Sequence, residues 1–437
     1  MRGGRADTFH GGVAFTELRG LWDSEVRKGK TLLPLAPRLK PFYLELRNAR
    51  KGTDLRRQED AREAWDRELE VFLAQLSEEI RASIAARKLD WGMARGRDFH
   101  DKPTYQLTRA PSVYFTERVI AAALSSTMEV RRPDRSLAVQ QVARAIGDKL
   151  PKSVLRTDIQ SFFESIPHAP LLYAIEQAGV LSDSLLNLVQ RFLQEYEDLT
   201  GNSRGVPRGT ALGAALAEFY LRPLDRFMKT QPGTLLHVRY VDDVIIVVGE
   251  PHDNASSRIA DVRDGLIKLL ESLGLGINPV KTQITPMRDG RWSGTIEYLG
   301  YELTPGRHST TISISSDRIR KIRERLERTF KRWASASGPA DEGLLLDRLR
   351  LLTGNTRLQY NKQKAMVGIF FSNRDATSIK NLQGLDNYLT HLVQSASLSA
   401  RAESIVADLS FEVGFRERRF TKFSTKRLRE MKGVWHA

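Results

Sequence analysis

The run Arg239-Tyr240-Val241-Asp242-Asp243-Val244-Ile245-Ile246-Val247-Val248 sets two adjacent carboxylates between apolar stretches. Acids in such company are costly unless they are paired or bound to metal. At a tight turn between two strands the pair would project from a sheet edge as oxygen ligands for Mg²⁺; an ordinary Asp-Asp turn is the alternative. A third acid, Asp158, closes a branched run and is followed by Ile159-Gln160-Ser161-Phe162-Phe163. Carboxylates from separate strands suit two-metal nucleotidyl transfer, in which the ions activate a primer 3′-OH and steady the leaving pyrophosphate. The loop Gly205-Val206-Pro207-Arg208-Gly209-Thr210 would let a nucleic-acid backbone and an incoming base come close, because glycine carries no side chain. No Gly-Lys-Ser/Thr follows, so it is not a Walker loop.

Several elements must position these residues. Val154–Ile159 and Val238–Val248 read as strands rich in branched residues, and Thr210–Met228 reads as a helix between them. A second helix is expected from about Ala255 to Leu273. This alternation implies an α/β or α+β domain. Upstream, Trp65, Leu69, Phe72, Leu73, Leu76, Ile80 and Ile84 recur at helical steps, predicting a long amphipathic helix over Glu59–Lys88. Thr310–Ile314 alternates like a strand, and Ser316-Asp317 should cap a basic helix carrying Ile319, Ile322, Leu326, Phe330 and Trp333. A linker at 334–339 then introduces a mostly helical end.

The chain of 437 residues has 68 Lys+Arg against 53 Asp+Glu, a net charge of +15 that favours a polyanion, most commonly nucleic acid. It contains no cysteine, which excludes disulfides, thiolate zinc sites and a Cys nucleophile. No apolar run approaches the ~20 residues that span a bilayer, and the first residues lack the apolar stretch of a secretion signal. No membrane partner and a cytoplasmic location are the expectation.

Asp158, then Gly205–Thr210, Asp242-Asp243, Gly274-Leu275-Gly276-Ile277-Asn278-Pro279-Val280-Lys281 and Tyr298-Leu299-Gly300-Tyr301 follow in that order. This order and spacing resemble the palm motifs of reverse transcriptases, over a central part of the chain. The Tyr-x-Asp-Asp box is typical of them, whereas viral RNA replicases commonly carry Gly-Asp-Asp. The resemblance implies an α+β right-hand polymerase with fingers, a ferredoxin-like palm and a helical thumb. Its expected divisions are an N-terminal helical extension (1–100), fingers and palm (101–303), and a thumb with a basic C-terminal region (304–437).

The resemblance also assigns roles. Asp158, Ile159, Asp242 and Asp243 match the site of two Mg²⁺ ions, with Mn²⁺ as a substitute, and Lys281 matches the lysine that protonates pyrophosphate. Phe163 matches the gate that collides with a ribose 2′-OH; core packing is its other role. Arg109 and Arg132 match fingers residues that meet the triphosphate, with Arg208 and Gly209 at the nucleotide as well. Tyr298, Leu299, Gly300 and Tyr301 match the primer grip. Arg208 departs from the usual Gln, and a guanidinium there would stack on a template base or bind its phosphate.

Too few residues follow Tyr301 for RNase H or integrase parts, and no Cys or His cluster marks a nuclease segment. Leu352–Asn355 and Val367–Asn373 look similar to thumb segments of defence-associated and retron reverse transcriptases. The expected activity is therefore cDNA synthesis from dNTPs on a dedicated non-coding RNA in anti-phage defence. Alternatives are a retron- or intron-derived enzyme without that role, a template-independent or protein-primed DNA polymerase, an RNA polymerase, and an inactive RNA-binding scaffold. Template, primer, self-association and any partner defence protein stay open. In Phe411–Lys432 cations alternate with rings, and Arg416, Arg418, Arg419, Lys422 and Arg427 are expected to hold structured RNA.

Overall fold

The computed structural model describes residues 15–27, 32–98, 102–127, 134–250, 257–288, 290–306, 309–335, 338–358 and 365–435. The chain forms two compact units, each discontinuous in sequence. One comprises Met1–Arg131, Ile159–Lys229 and Asp264–Asn278; the other comprises Arg132–Asp158, Thr230–Arg263 and Pro279–Ala437.

The first unit is helical. Its long helix runs Leu55–Ala85, with Asp54 capping Arg57 N and Leu69, Leu73, Leu76 and Ile80 buried. Leu18, Trp22, Phe115 and Val119 complete that core. The helix expected over Thr210–Met228 is instead two, Ala211–Tyr220 and Arg222–Thr230. The apolar pattern continues across the break, but Pro223 cannot donate to the turn before it and ends the first helix.

The second unit is built on a five-stranded antiparallel sheet, in the order Thr234–Tyr240, Asp243–Gly249, Lys152–Asp158, Gln283–Arg288, Arg291–Trp292. A three-stranded antiparallel sheet of Ile296–Tyr298, Tyr301–Pro305 and Thr310–Ile314 shares its core with helix Arg135–Ala145. Val154, Ile245, Val247, Tyr298 and Tyr301 meet there. The basic helix occupies Ser316–Ser335, although its capping oxygen is Ser315 Oγ, bonded to Arg318 N at 3.4 Å. Helix Pro339–Thr353 follows closely, and the middle of the expected linker lies outside the described residues. These helices, with Lys380–Gln394 and Ala400–Ala407, enclose a second core around Leu326, Leu345, Leu349, Leu382 and Phe411. The architecture is α+β. Among the described residues no helix is long and apolar enough to cross a membrane.

Candidate active site

Two features of the sheet bring acids together at one end. Asp158 is the last residue of its strand and stands opposite Asp243 in the ladder. Tyr240 also pairs with Asp243, so Val241-Asp242 is a two-residue turn. Val241 is left-handed, with φ 63°, an uncommon and costly conformation for a branched residue. Arg239 Nη1 locks it by donating to the Val241 carbonyl at 2.9 Å. Like charges opposite one another in a ladder repel.

The remedy here is partial. Arg156, two residues before Asp158 and on the same face of the strand, reaches both Asp243 oxygens at 3.4 Å. Burial still pushes the Asp243 carboxyl up to about 6; Arg156 opposes the rise, and the charges of Asp158 and Asp242 add to it. Lys281 Nζ donates to Asp158 Oδ2 at 2.9 Å, beside a 2.7 Å hydroxyl bond between Thr157 and Thr282. Among the described residues no three acidic or His side chains already converge into an ion cage. The donor set nonetheless fits a divalent cation: hard oxygens, excess negative charge, and basic side chains standing where cations would relieve it. Ile159 has a buried side chain, which leaves its backbone carbonyl as the oxygen it can offer.

In the first unit, Ser161 is left-handed and starts a short helix, Phe162–Ser165, with both phenylalanines buried and edge-to-face at 5.6 Å. The glycine loop closes over it: Val206 N donates to the Phe163 carbonyl at 2.7 Å, and Gly205 N to that of Ile166 at 2.7 Å. Gly205 and Gly209 have φ of 103° and 101°, values an L side chain rarely adopts. Arg208 lies with its guanidinium 4.4 Å from the Phe163 ring centre and donates to Glu164 at 3.0 Å. Its buried Nε has no partner among the described residues. Glu117 caps the start of the next helix through Ala211 N and Leu212 N.

The remaining sequence-marked residues fall differently. Arg109 is exposed just before helix Pro111–Ser126, and Arg132 lies outside the described residues. Tyr298 and Tyr301, expected in a primer grip, are buried in the core, and the Leu299-Gly300 turn between them is half-buried. In the C-terminal stretch Arg416 pairs with Glu412 at 2.9 Å, Arg419 with Glu417 at 2.9 Å and Arg427 with Asp347 at 2.8 Å. Arg418 stacks on Phe370, and neither it nor Lys422 has a carboxylate partner among the described residues.

Sequence reading missed Arg156, Glu164 and Glu117. The first was findable, since residues two apart on a strand share a face. Glu164 adjoins the gate, but nothing local marks Glu117 as a cap for a loop so distant in sequence.

Residues 116–303 match the family model described as reverse transcriptase (RNA-dependent DNA polymerase). No curated protein matches the chain. Among solved structures, telomerase from Candida albicans in complex with a fragment of telomeric RNA is 15% identical over 67% of this chain and 53% of its own, with a TM-score of 0.35. Apo telomerase from Candida tropicalis, truncated of its C-terminal domain, is 12% identical over 45% of this chain and 44% of its own, with a TM-score of 0.35. The chain thus spans about half the length of the first of these structures. The box, the glycine loop and the carboxylate strand all lie inside the matched span, so residues 116–303 resemble a reverse-transcriptase domain.

Proposed function

We propose that this protein copies RNA into DNA from dNTPs, and that its active centre is Asp158, Asp242 and Asp243. The observation that carries the reading is the register: Asp158 stands opposite Asp243, beside a strained turn that presents Asp242. Negative charge at this end of the sheet is incompletely compensated, as the raised Asp243 carboxyl records. These acids, with the Ile159 carbonyl, would hold two Mg²⁺ or Mn²⁺ ions. Ions held there would neutralise charge and acidify the primer 3′-OH, whose proton passes to water as its oxygen bonds to the α-phosphorus and pyrophosphate departs.

The chain's own groups do the rest. Lys281 leaves Asp158 and gives its Nζ proton to the departing pyrophosphate. Phe163 blocks a ribose 2′-OH, with Arg208 and Gly209 forming the adjacent wall of the nucleotide site. Arg109 and Arg132 meet the triphosphate. The fingers–palm span 101–303 is then followed by a thumb whose C-terminal stretch holds a dedicated RNA. A cleft of about 430 Å³, lined by Phe370, Lys380, Phe415, Arg416 and Arg418, supports that last assignment by joining cations to rings. We assign the protein to cDNA-making bacterial antiviral defence in the cytoplasm, on the likeness of its thumb segments to those of such enzymes. Sequencing the RNA that co-purifies with it from cells under phage attack tests this assignment.

The activity is tested by extension of a DNA primer on an RNA template. Asp242→Ala/Asp243→Ala should lower the rate by on the order of 10³-fold or more, because phosphoryl transfer depends on charge stabilisation here. Circular dichroism should remain that of the wild type. Near-normal extension by the double variant would place the active centre elsewhere.

A further inference from the structure

Strands Ile296–Tyr298 and Tyr301–Pro305 are joined by Leu299-Gly300, both left-handed with φ of 46° and 74°. A hairpin this short is soft by itself. Here two guanidinium groups hold it. Arg318 Nη2 donates to the Leu299 carbonyl at 3.0 Å, and Arg135 Nη2 donates to the same oxygen. Both also flank the ring of Tyr301, at 5.0 and 5.5 Å from its centre. Gly300 is required by this arrangement as well as by its φ, since a Cβ there would lie 2.2 Å from Arg318 Nε.

Each arginine is anchored behind. Arg318 Nη1 donates to Asn373 Oδ1 at 2.9 Å and to the Ser372 carbonyl at 3.2 Å, and buried Asn373 is itself tied to the Ile369 carbonyl. Ser136, next to Arg135, bonds Asp375, which Gln140 and Tyr301 Oη also reach at 3.2 and 3.5 Å. Neither arginine has a carboxylate partner among the described residues, so two full charges converge on one neutral carbonyl at a half-buried turn. On the hairpin's first strand, Glu297 lies 3.9 Å from Arg156, the residue that grips Asp243.

We propose that Arg318 and Arg135 are positioning residues that fix the Leu299-Gly300 tip relative to Asp158, Asp242 and Asp243, and so set where the primer 3′ end stands. The assignment rests on the polymerase reading given above. A misplacement of about 1 Å at a reacting centre costs about 10²-fold. Charge-assisted bonds to a single carbonyl give the tip little room for such drift.

The test uses Arg318→Met, Arg318→Lys and, as a control, Arg374→Ala, which breaks the neighbouring Arg374–Asp134 pair without touching the hairpin. The probe is a fluorescein-labelled DNA primer annealed to a short RNA template, read by anisotropy for binding and by extension for kcat and KM. Arg318→Met should lower kcat at saturating duplex by about 10²-fold and weaken duplex binding. Mn²⁺ affinity, measured by calorimetry, should stay unchanged because the acids are untouched. Arg318→Lys retains one donor without the planar fork and should fall in between; Arg374→Ala should match the wild type. Wild-type kcat and duplex affinity in Arg318→Met would overturn the proposal. So would wild-type kcat in Arg318→Lys if the methionine variant does not fold. A wild-type protein that extends no primer would sink the polymerase reading instead, while anisotropy would still report whether Arg318 governs duplex binding.

Discussion

The turn Tyr240–Asp243 and the stretch Phe411–Lys432 both concentrate charge, yet the fold disposes of it in opposite ways. At the turn, strand register forces Asp158 and Asp243 face to face and adds Asp242 beside them, with Arg156 too weak a counterweight to restore an ordinary carboxyl. Along the C-terminal stretch Arg416, Arg419 and Arg427 each find an acid, by helical spacing, from two residues back along the chain, or across the packed helices. A ladder cannot rotate a side chain away from its neighbour, whereas exposed helices let cations choose partners. Residual charge therefore marks the place where a ligand is needed, and self-paired charge marks a surface that is mostly satisfied.

The rings divide in the same way. Phe423 is buried in a small core and Phe415 packs on the larger one, while Phe163 lies under Arg208 with 8% of its surface open. If that opening is the sugar wall, Phe163→Ala should change the ratio of dNTP to NTP use by roughly 10–200-fold, the range of a ~1–3 kcal/mol pocket difference. Competition between labelled dNTP and NTP on one primer–template measures it. An unchanged ratio in an active variant would make Phe163 a packing residue like Phe423.

A smaller effect is expected on stability. Asp243 titrates near 6 in the fold, above the ordinary carboxylate value of 3.8, so the folded state favours its protonated form. Its stabilising share is present below about pH 4 and lost as pH rises through 6. At neutral pH without metal the charged group is a cost, on the order of 3 kcal/mol at most. Asp243→Asn should therefore stabilise the metal-free protein at pH 7.5, with the gain vanishing between about pH 6 and pH 4. Urea unfolding in chelator across that range reads it. Destabilisation at pH 7.5 would mean that Arg156 satisfies Asp243 fully, and the contrast with the C-terminal stretch would collapse.

Much of this was legible before the structure. The branched runs, the box, the long amphipathic helix and the Thr310–Ile314 strand fall where their periodicity places them. Pro223 stands in the sequence as a helix breaker, yet the apolar pattern runs on across it. Local pairs such as Arg416–Glu412 follow from four-residue spacing. Pairs made by tertiary packing do not: Arg427–Asp347, Glu117 at the Ala211 helix start, and Arg135 with Arg318 on Leu299 join segments whose proximity only the fold decides. The burial of Tyr298 and Tyr301 is of the same kind, since an aromatic in a short hairpin suits either a ligand or a core.

The smallest effect separates cations that look alike in sequence. Arg418 and Lys422 lack acid partners among the described residues, whereas Arg416, Arg419 and Arg427 are paired. A paired arginine offers a phosphate less, because binding must first release its own carboxylate. Removing one cation that neutralises a phosphate should flatten the log–log salt dependence of RNA binding by about 0.7–0.9. Arg418→Ser/Lys422→Ser should show that flattening for both residues. Arg416→Ser/Arg419→Ser should change the slope by well under the share of a single cation. Arg427→Ser is expected to act on folding instead, by removing one of the two guanidinium groups, those of Arg427 and Arg350, that pair with half-buried Asp347. Extension of a supplied short primer–template should be near normal in both double variants, since none of their residues adjoins the acids in sequence or ladder. Filter binding of the co-purified RNA at a series of salt concentrations provides the slopes. Equal slopes for the two double variants would show that the internal acids are surrendered freely, and that exposure rather than pairing decides which cations reach RNA.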